Sequence, residues 1–248
     1  MAERVILITG GAKRLGAEMT NLFIESGYYV LIHVRNSHAE AEHLLTEAKE
    51  RHHRTCGDVL QADLSTSEGA FGLLEAVKNH SVVIENGLFG LIHNASFYQP
   101  IDVHNLQTND MDELYGLHMR TPLLLSTGLF EHLVKGGGSI VGIIDTSWKR
   151  HWKGMTHYTA TKAGLRQLLT NLAGEFAPRV RVNMIGPGAI LAADWEEEHF
   201  NNVLRQVPLG RAGEPLDIAK ATLHFLQTSH LCGEFLAVDG GWDLNMNQ

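Results

Sequence analysis

Tyr158 and Lys162 stand four residues apart in Tyr158-Thr159-Ala160-Thr161-Lys162, at the start of a stretch with helical periodicity, so both side chains project from one face. A free tyrosine, with a pKa near 10 in model peptides, is almost wholly protonated at neutral pH, and a nearby ammonium favours its phenolate and eases proton transfer. The pair is an acid–base device, although an isolated YxxxK arises often by chance. What gives it weight is Asp145, which closes the fifth apolar run. Strand C-termini form the ligand crevice of a parallel sheet, so Asp145, Tyr158 and Lys162 are expected to converge on one catalytic site.

A second site is expected at the other end of the chain. Thr9-Gly10-Gly11-Ala12-Lys13-Arg14-Leu15-Gly16 follows the first apolar run and opens a helix. Glycines there let the backbone turn tightly and approach a pyrophosphate, whose charge meets the free amides of the helix N-terminus. An acid about 20 residues further on would hold a ribose 2′-hydroxyl. The run there is Ile32-His33-Val34-Arg35-Asn36-Ser37, with no acid. Arg35, with Lys13 and Arg14, offers multidentate cationic donors suited to a 2′-phosphate, so NADPH is favoured over NADH. The competing reading makes Arg35 a solvated surface charge. Asp63, in Gln61-Ala62-Asp63-Leu64, is placed to accept a hydrogen bond from an adenine, to cap the next helix, or to do both.

These groups need a scaffold. Short β-branched runs at Val5–Ile8, Tyr28–Ile32, Val59–Ala62, Leu88–Ile92, Ser139–Ile144, Arg181–Ile185 and Glu234–Val238 alternate with helical patterns at 15–26, 38–51, 67–79, 109–134, 156–177 and 214–227. That alternation predicts an α/β fold, a doubly wound parallel sheet of about seven strands, buried on both faces, in one domain over 1–248. Residues 190–208 interrupt it with a polar, aromatic-bearing stretch, read either as a substrate flap or as an ordinary surface helix.

Composition removes other classes. The net charge of −8 argues against nucleic acid or an anionic membrane as a partner. Two cysteines, Cys56 and Cys232, make no disulfide framework, and the N-terminus carries no basic-then-apolar leader, so a cytoplasmic location is expected. The 15 histidines are scattered without metal-ligand spacing, and no metal site is expected.

The Thr-Gly-rich turn, Asp63, Asn94-Ala95, Tyr158/Lys162, Gly186-Pro187-Gly188, Gly213-Glu214-Pro215 and Val238-Asp239-Gly240-Gly241 together resemble the short-chain dehydrogenase/reductase family, in order and over essentially the whole chain. The resemblance implies a Rossmann-like fold, Tyr158 as proton donor, and Lys162 on the nicotinamide ribose, depressing the tyrosine pKa. It also implies a cofactor surface made by Gly10, Leu15, Gly16, His33, Asn36, Ser37, Leu64, Asn94, Ala95, Ser96, Pro187, Gly188 and Ile190, with Asp63, Tyr158 and the cationic residues already named. A homotetramer is inherited from the same resemblance.

Departures from the family pattern narrow it. Thirteen residues before the tyrosine, where a serine usually orients a carbonyl, stands Asp145, whose carboxylate suits a nitrogen heterocycle better than an alcohol. Arg14 replaces the middle glycine of the turn, and the usual NNAG reads His93-Asn94-Ala95-Ser96, followed by Phe97-Tyr98. These features look like the pteridine reductase branch, in which the arginine and the serine contact cofactor phosphates and pterin, and an aromatic ring sandwiches the pterin against the nicotinamide. Phe97 or Tyr98 would be that ring; Arg14, Ser96, Asp145 and Tyr158 complete the expected substrate surface. His118 stands where the family keeps a catalytic Asn, which resembles the bacterial dihydromonapterin reductases; it either bridges backbone and water behind Lys162 or packs. The implied activity is NADPH-dependent reduction of a dihydropterin, 7,8-dihydromonapterin or a relative, or of dihydrofolate, to the tetrahydro form. The rivals are a carbonyl reductase of the same family and a non-catalytic NADP(H)-binding sensor or scaffold.

Overall fold

The computed structural model describes residues 3–193 and 197–247. β1 (Val5–Thr9), β2 (Tyr29–Val34), β3 (Gly57–Gln61), β4 (Gly90–His93), β5 (Ser139–Ile143), β6 (Arg181–Pro187) and β7 (Phe235–Val238) form one sheet in the order β3-β2-β1-β4-β5-β6-β7. Every pairing is parallel. The strand period of two explains why almost every strand residue is apolar. In β1, Val5 and Leu7 face one core with Leu31, Leu91 and Ile140, while Ile6 and Ile8 face the other with Val30, Ile32 and Ile185. Burying each such side chain is worth about 1.5–3 kcal/mol relative to exposure.

Helices cover both faces: α1 (Arg14–Glu25), α2 (His38–His52), α3 (Ser67–Lys78), α4 (Ser81–Asn86), α5 (Thr108–Tyr115), α6 (Thr121–Gly128), α7 (Phe130–Gly136), α8 (Thr156–Phe176), α9 (Glu197–Leu204) and α10 (Pro215–Gln227). The expected single helix over 109–134 is instead α5, a π-helical turn at Gly116–Arg120, α6 and α7. Pro122 supplies a reason for the break: it has no N–H for an intrahelical bond to the preceding turn, which is free to widen. Helix α4 escaped prediction because six residues are too few to show a helical period. The stretch 190–208 contains α9, while Asp194–Glu196 of the expected flap lie outside the described residues. Among the described residues, no helix is long and apolar enough to cross a membrane.

The strand order turns back between β1 and β4, which leaves a crevice beyond the carboxyl ends of these two strands. A cavity of about 970 Å³ lies there, lined from the turn after β1 to the segments after β5 and β6.

Candidate active site

The end of the cavity next to β1 is made largely of backbone. Gly10 turns at φ +66°, and a Cβ there would sit 3.0 Å from the Ala95 Cα. Gly16 lies so close beneath it that an added Cβ would meet the Gly10 carbonyl oxygen at 2.0 Å. The first turn of α1 is therefore pressed against the loop, with Lys13, Arg14, Leu15 and Gly16 on the cavity wall and the N-terminal amides available to an anion. Arg14 adopts φ +52°, a left-handed conformation costly for any residue but glycine. Its guanidinium donates to the Leu191 and Ala192 carbonyls at 2.7 and 3.2 Å, tying the turn to the segment after β6.

Asn94 braces this turn. Its Nδ2 donates to the Thr9 and Gly10 carbonyls at 3.0 and 2.9 Å, and the Thr9 hydroxyl accepts from the Asn94 and Ala95 amides. His33 does the same from below: Nδ1 accepts from the Gly10 amide at 3.2 Å and Nε2 donates to the Ala62 carbonyl at 3.1 Å. One ring nitrogen accepts and the other donates, so the imidazole is neutral, and burial pushes its pKa down to about 4.

Arg35, Asn36 and Ser37 follow β2 directly and line the cavity. The Lys13 ammonium pairs with Glu40 at 2.6 Å, and that hydrogen bond holds the Glu40 carboxyl below its usual range. Asp63 accepts from the Ser65 amide and hydroxyl at 3.0 and 2.7 Å, which lowers its pKa. The cap of α3 is Thr66, whose hydroxyl accepts from the Gly69 amide, so the capping role expected of Asp63 is corrected. His33, Asp63 and Leu64, expected on the cofactor surface, do not line the cavity; His33 and Leu64 are buried behind it.

The other end is made of side chains. Asp145 lies two residues past the end of β5, Tyr158 and Lys162 share a face of α8, and the tyrosine hydroxyl donates to Asp145 Oδ2 at 2.9 Å. Asp145 Oδ1 accepts from the Ser147 amide at 2.7 Å, which fixes the carboxylate plane. Lys162 Nζ donates to the Ile143 carbonyl at 3.0 Å. Burial brings its pKa down to about 8, against the opposing charge of Asp145. The tyrosine shifts opposite to expectation. Burial, then the charge and acceptor bond of Asp145, raise the Tyr158 pKa well above its ordinary value, although the Lys162 ammonium is only 5.7 Å from its ring. Burial, with a carboxylate in contact with the phenol, outweighs an ammonium beyond it.

Of the two candidate aromatic plates, Tyr98 lines the cavity and packs against Tyr158, with ring centroids 5.5 Å apart. Phe97 does not line it; the Arg35 guanidinium lies 6.0 Å from its ring centre. Ser96, Ala95, Pro187, Gly188 and Ile190 are on the wall as expected. Trp152 and His199 were missed. Their rings stack at 5.1 Å and 14°, joining the β5–α8 segment to α9, and Trp152 meets Tyr158 edge-on at 6.0 Å. The aromatic and basic run Trp148–Lys153 was the available signal for Trp152. With Phe200 and Val203 also lining the cavity, α9 is part of its wall rather than a plain surface helix.

His118 does more than pack. It is 1% exposed and bonded at both nitrogens, to Ser96 Oγ and to Thr161 Oγ1, each at 2.9 Å.

Residues 4–202 match the short chain dehydrogenase family. A dihydromonapterin reductase of Enterobacter sp. (strain 638) is 30% identical, covering 98% of each chain. Carbonyl reductase family member 4 of Danio rerio is also 30% identical, over 98% of this chain and 99% of its own. Among solved structures, FolM alternative dihydrofolate reductase 1 of Brucella canis complexed with NADP superposes with a TM-score of 0.87 at 30% identity, covering 100% of this chain and 96% of the other.

Proposed function

The chain belongs to the short chain dehydrogenase family, and from that premise we propose that it is an NADPH-dependent reductase of dihydropterins, 7,8-dihydromonapterin or a close relative. The observation that carries this reading is the ionisable pair formed by Asp145 and Tyr158 at 2.9 Å. A ketone oxygen brought to this wall would face a carboxylate, and the tyrosine proton is already turned toward that carboxylate. An amino-pyrimidine edge carries N–H donors instead. An ionised carboxylate has about four lone-pair sites, and Ser147 and Tyr158 take two, which leaves acceptors for two such donors.

The residues at the β1 end fit the cofactor. Gly10 and Gly16 leave no room for a Cβ and give a backbone that an anion can approach closely. Lys13, Arg14 and Arg35 lie along the same wall, where a 2′-phosphate would find them. Similarity to a FolM protein complexed with NADP supports the choice of phosphate form. When bound, NADPH supplies the hydride, which C6 of a 7,8-dihydropterin would take while N5 gains a proton.

The protein's own work is placement and proton supply. Tyr158 keeps its proton to high pH and holds it beside Asp145, so that a proton is available at one fixed point of the wall. Lys162, anchored to Ile143, supplies positive charge below about pH 8. Tyr98 offers the flat face against which a planar ring can stack. Absorbance at the nicotinamide band, followed with 7,8-dihydromonapterin, dihydrobiopterin, dihydrofolate and a 3-oxoacyl thioester, tests the proposal. A dihydropterin should be the fastest substrate, and preference for the thioester would overturn it.

A further inference from the structure

His118 sits in the π-helical turn and reaches two segments that carry active-site groups, the loop after β4 with Ser96 and helix α8 with Thr161. The direction of its hydrogen bonds follows from counting protons. Thr161 donates its single hydroxyl proton to the Tyr158 carbonyl at 2.9 Å, so toward His118 it offers a lone pair. With that bond kept, the hydrogen between them lies on Nδ1. The imidazole is neutral, because burial first and the neighbouring Lys162 charge second lower its pKa far below the usual histidine range. A neutral ring protonated on Nδ1 has a bare Nε2, and the Ser96 hydroxyl can fill it only by donating. Ser96 lines the cavity, and with its proton turned toward His118 its lone pairs face the neighbouring Tyr158 hydroxyl and the cavity.

We infer that His118 is a positioning residue that locks the Ser96 oxygen as a hydrogen-bond acceptor on the cavity wall, so that with Asp145 it selects ligands presenting N–H donors over ligands presenting a carbonyl oxygen. The inference rests on the dihydropterin reading for its ligand, but it adds that the polarity of the wall is set from behind by one imidazole tautomer. A serine free to rotate could donate to a ketone or accept from an amine. Ser96 is not free, and a site with two fixed acceptors discriminates by leaving a wrong ligand's oxygen without a donor.

Two near-isosteric variants separate the halves of the bridge. In His118→Gln the side-chain oxygen can stand in for Nε2 and accept from Ser96. In His118→Asn the amide nitrogen can stand in for Nδ1 and donate to Thr161, while Ser96 regains its proton. Dihydropterin KM should stay near wild type in His118→Gln and rise roughly 3- to 10-fold in His118→Asn, the worth of one neutral hydrogen bond. NADPH affinity should be the same in both. Equal KM changes in the two variants would mean packing alone and would overturn the inference.

The tautomer is readable without turnover. Nitrogen-15 spectra of histidine-labelled, NADPH-saturated protein, with His118 assigned by its loss in His118→Gln, should show Nδ1 protonated and Nε2 bare, with no titration through the usual histidine range. A proton on Nε2 overturns the inference whatever the substrate. Failure of the wild-type protein to reduce any dihydropterin would instead overturn the reading of the site, with the tautomer result standing by itself.

Discussion

At the β1 end of the cavity the working groups are backbone amides exposed by glycines and braced from below by Asn94 and His33; at the β5 end they are side chains from β5, α8 and the loop after β4, bonded to one another. The first end is controlled by space. A methyl group on Gly16 would collide with the Gly10 carbonyl, whereas many exposed side chains around the turn could change with little effect. The second end is controlled by single atoms. Replacing one oxygen of Asp145 changes no packing but redirects the Tyr158 proton. Binding a nucleotide is thus tied to chain geometry, and choosing a substrate is tied to a few polar atoms whose partners are fixed.

If that contrast is right, substitutions should separate cleanly into cofactor effects and substrate effects. The largest is expected from Tyr158→Phe, which removes the proton-bearing oxygen and should lower dihydropterin kcat roughly 10²- to 10⁴-fold, with NADPH affinity measured by fluorescence left unchanged. Loss of NADPH binding in this variant would break the separation. Arg35→Glu should act at the other end alone, weakening NADPH roughly 10- to 100-fold by removing charge-assisted bonds while NADH changes little. Equal changes for both cofactors would make Arg35 a solvated charge.

The smallest effect at neutral pH concerns His33, whose folded pKa of about 4 lies below the unfolded value of 6.5. Between those values the unfolded chain binds the extra proton, so stability should be full above pH 6.5 and fall as pH drops toward 4. Urea midpoints taken from pH 7.5 to 4.5 should show that loss in the wild-type protein, and less of it in His33→Asn. Matching profiles would mean that the brace beneath the glycine turn does not titrate as its burial demands.

The β1 end was readable from residue order because glycine, with its freedom to adopt φ +66° and to pack backbone on backbone, advertises its role by type. The same holds for the strands, whose two-sided burial leaves an apolar run that needs no partner to recognise it. Side-chain networks give no such signal. Nothing in the spacing of His118, Ser96 and Thr161 says that a widened helical turn sets His118 2.9 Å from each of the other two. Lys162 and Tyr158 share a face of α8, but the raised tyrosine pKa comes first from burial and then from Asp145, neither of which distance along the chain reveals. His33 and Leu64 were expected on the cofactor surface from the family resemblance, and the structure buries both side chains. Trp152 and His199 come from segments separated by the whole of α8 and β6, so their stacking exists only in the folded chain.

Steady-state kinetics of Asp145→Ser with 7,8-dihydromonapterin and with a 3-oxoacyl thioester, alongside NADPH binding, puts the weight on the carboxylate itself. The account predicts that kcat/KM for the dihydropterin falls roughly 10²-fold or more while thioester reduction is kept or gained and NADPH affinity holds. Undiminished dihydropterin turnover in that variant would contradict it.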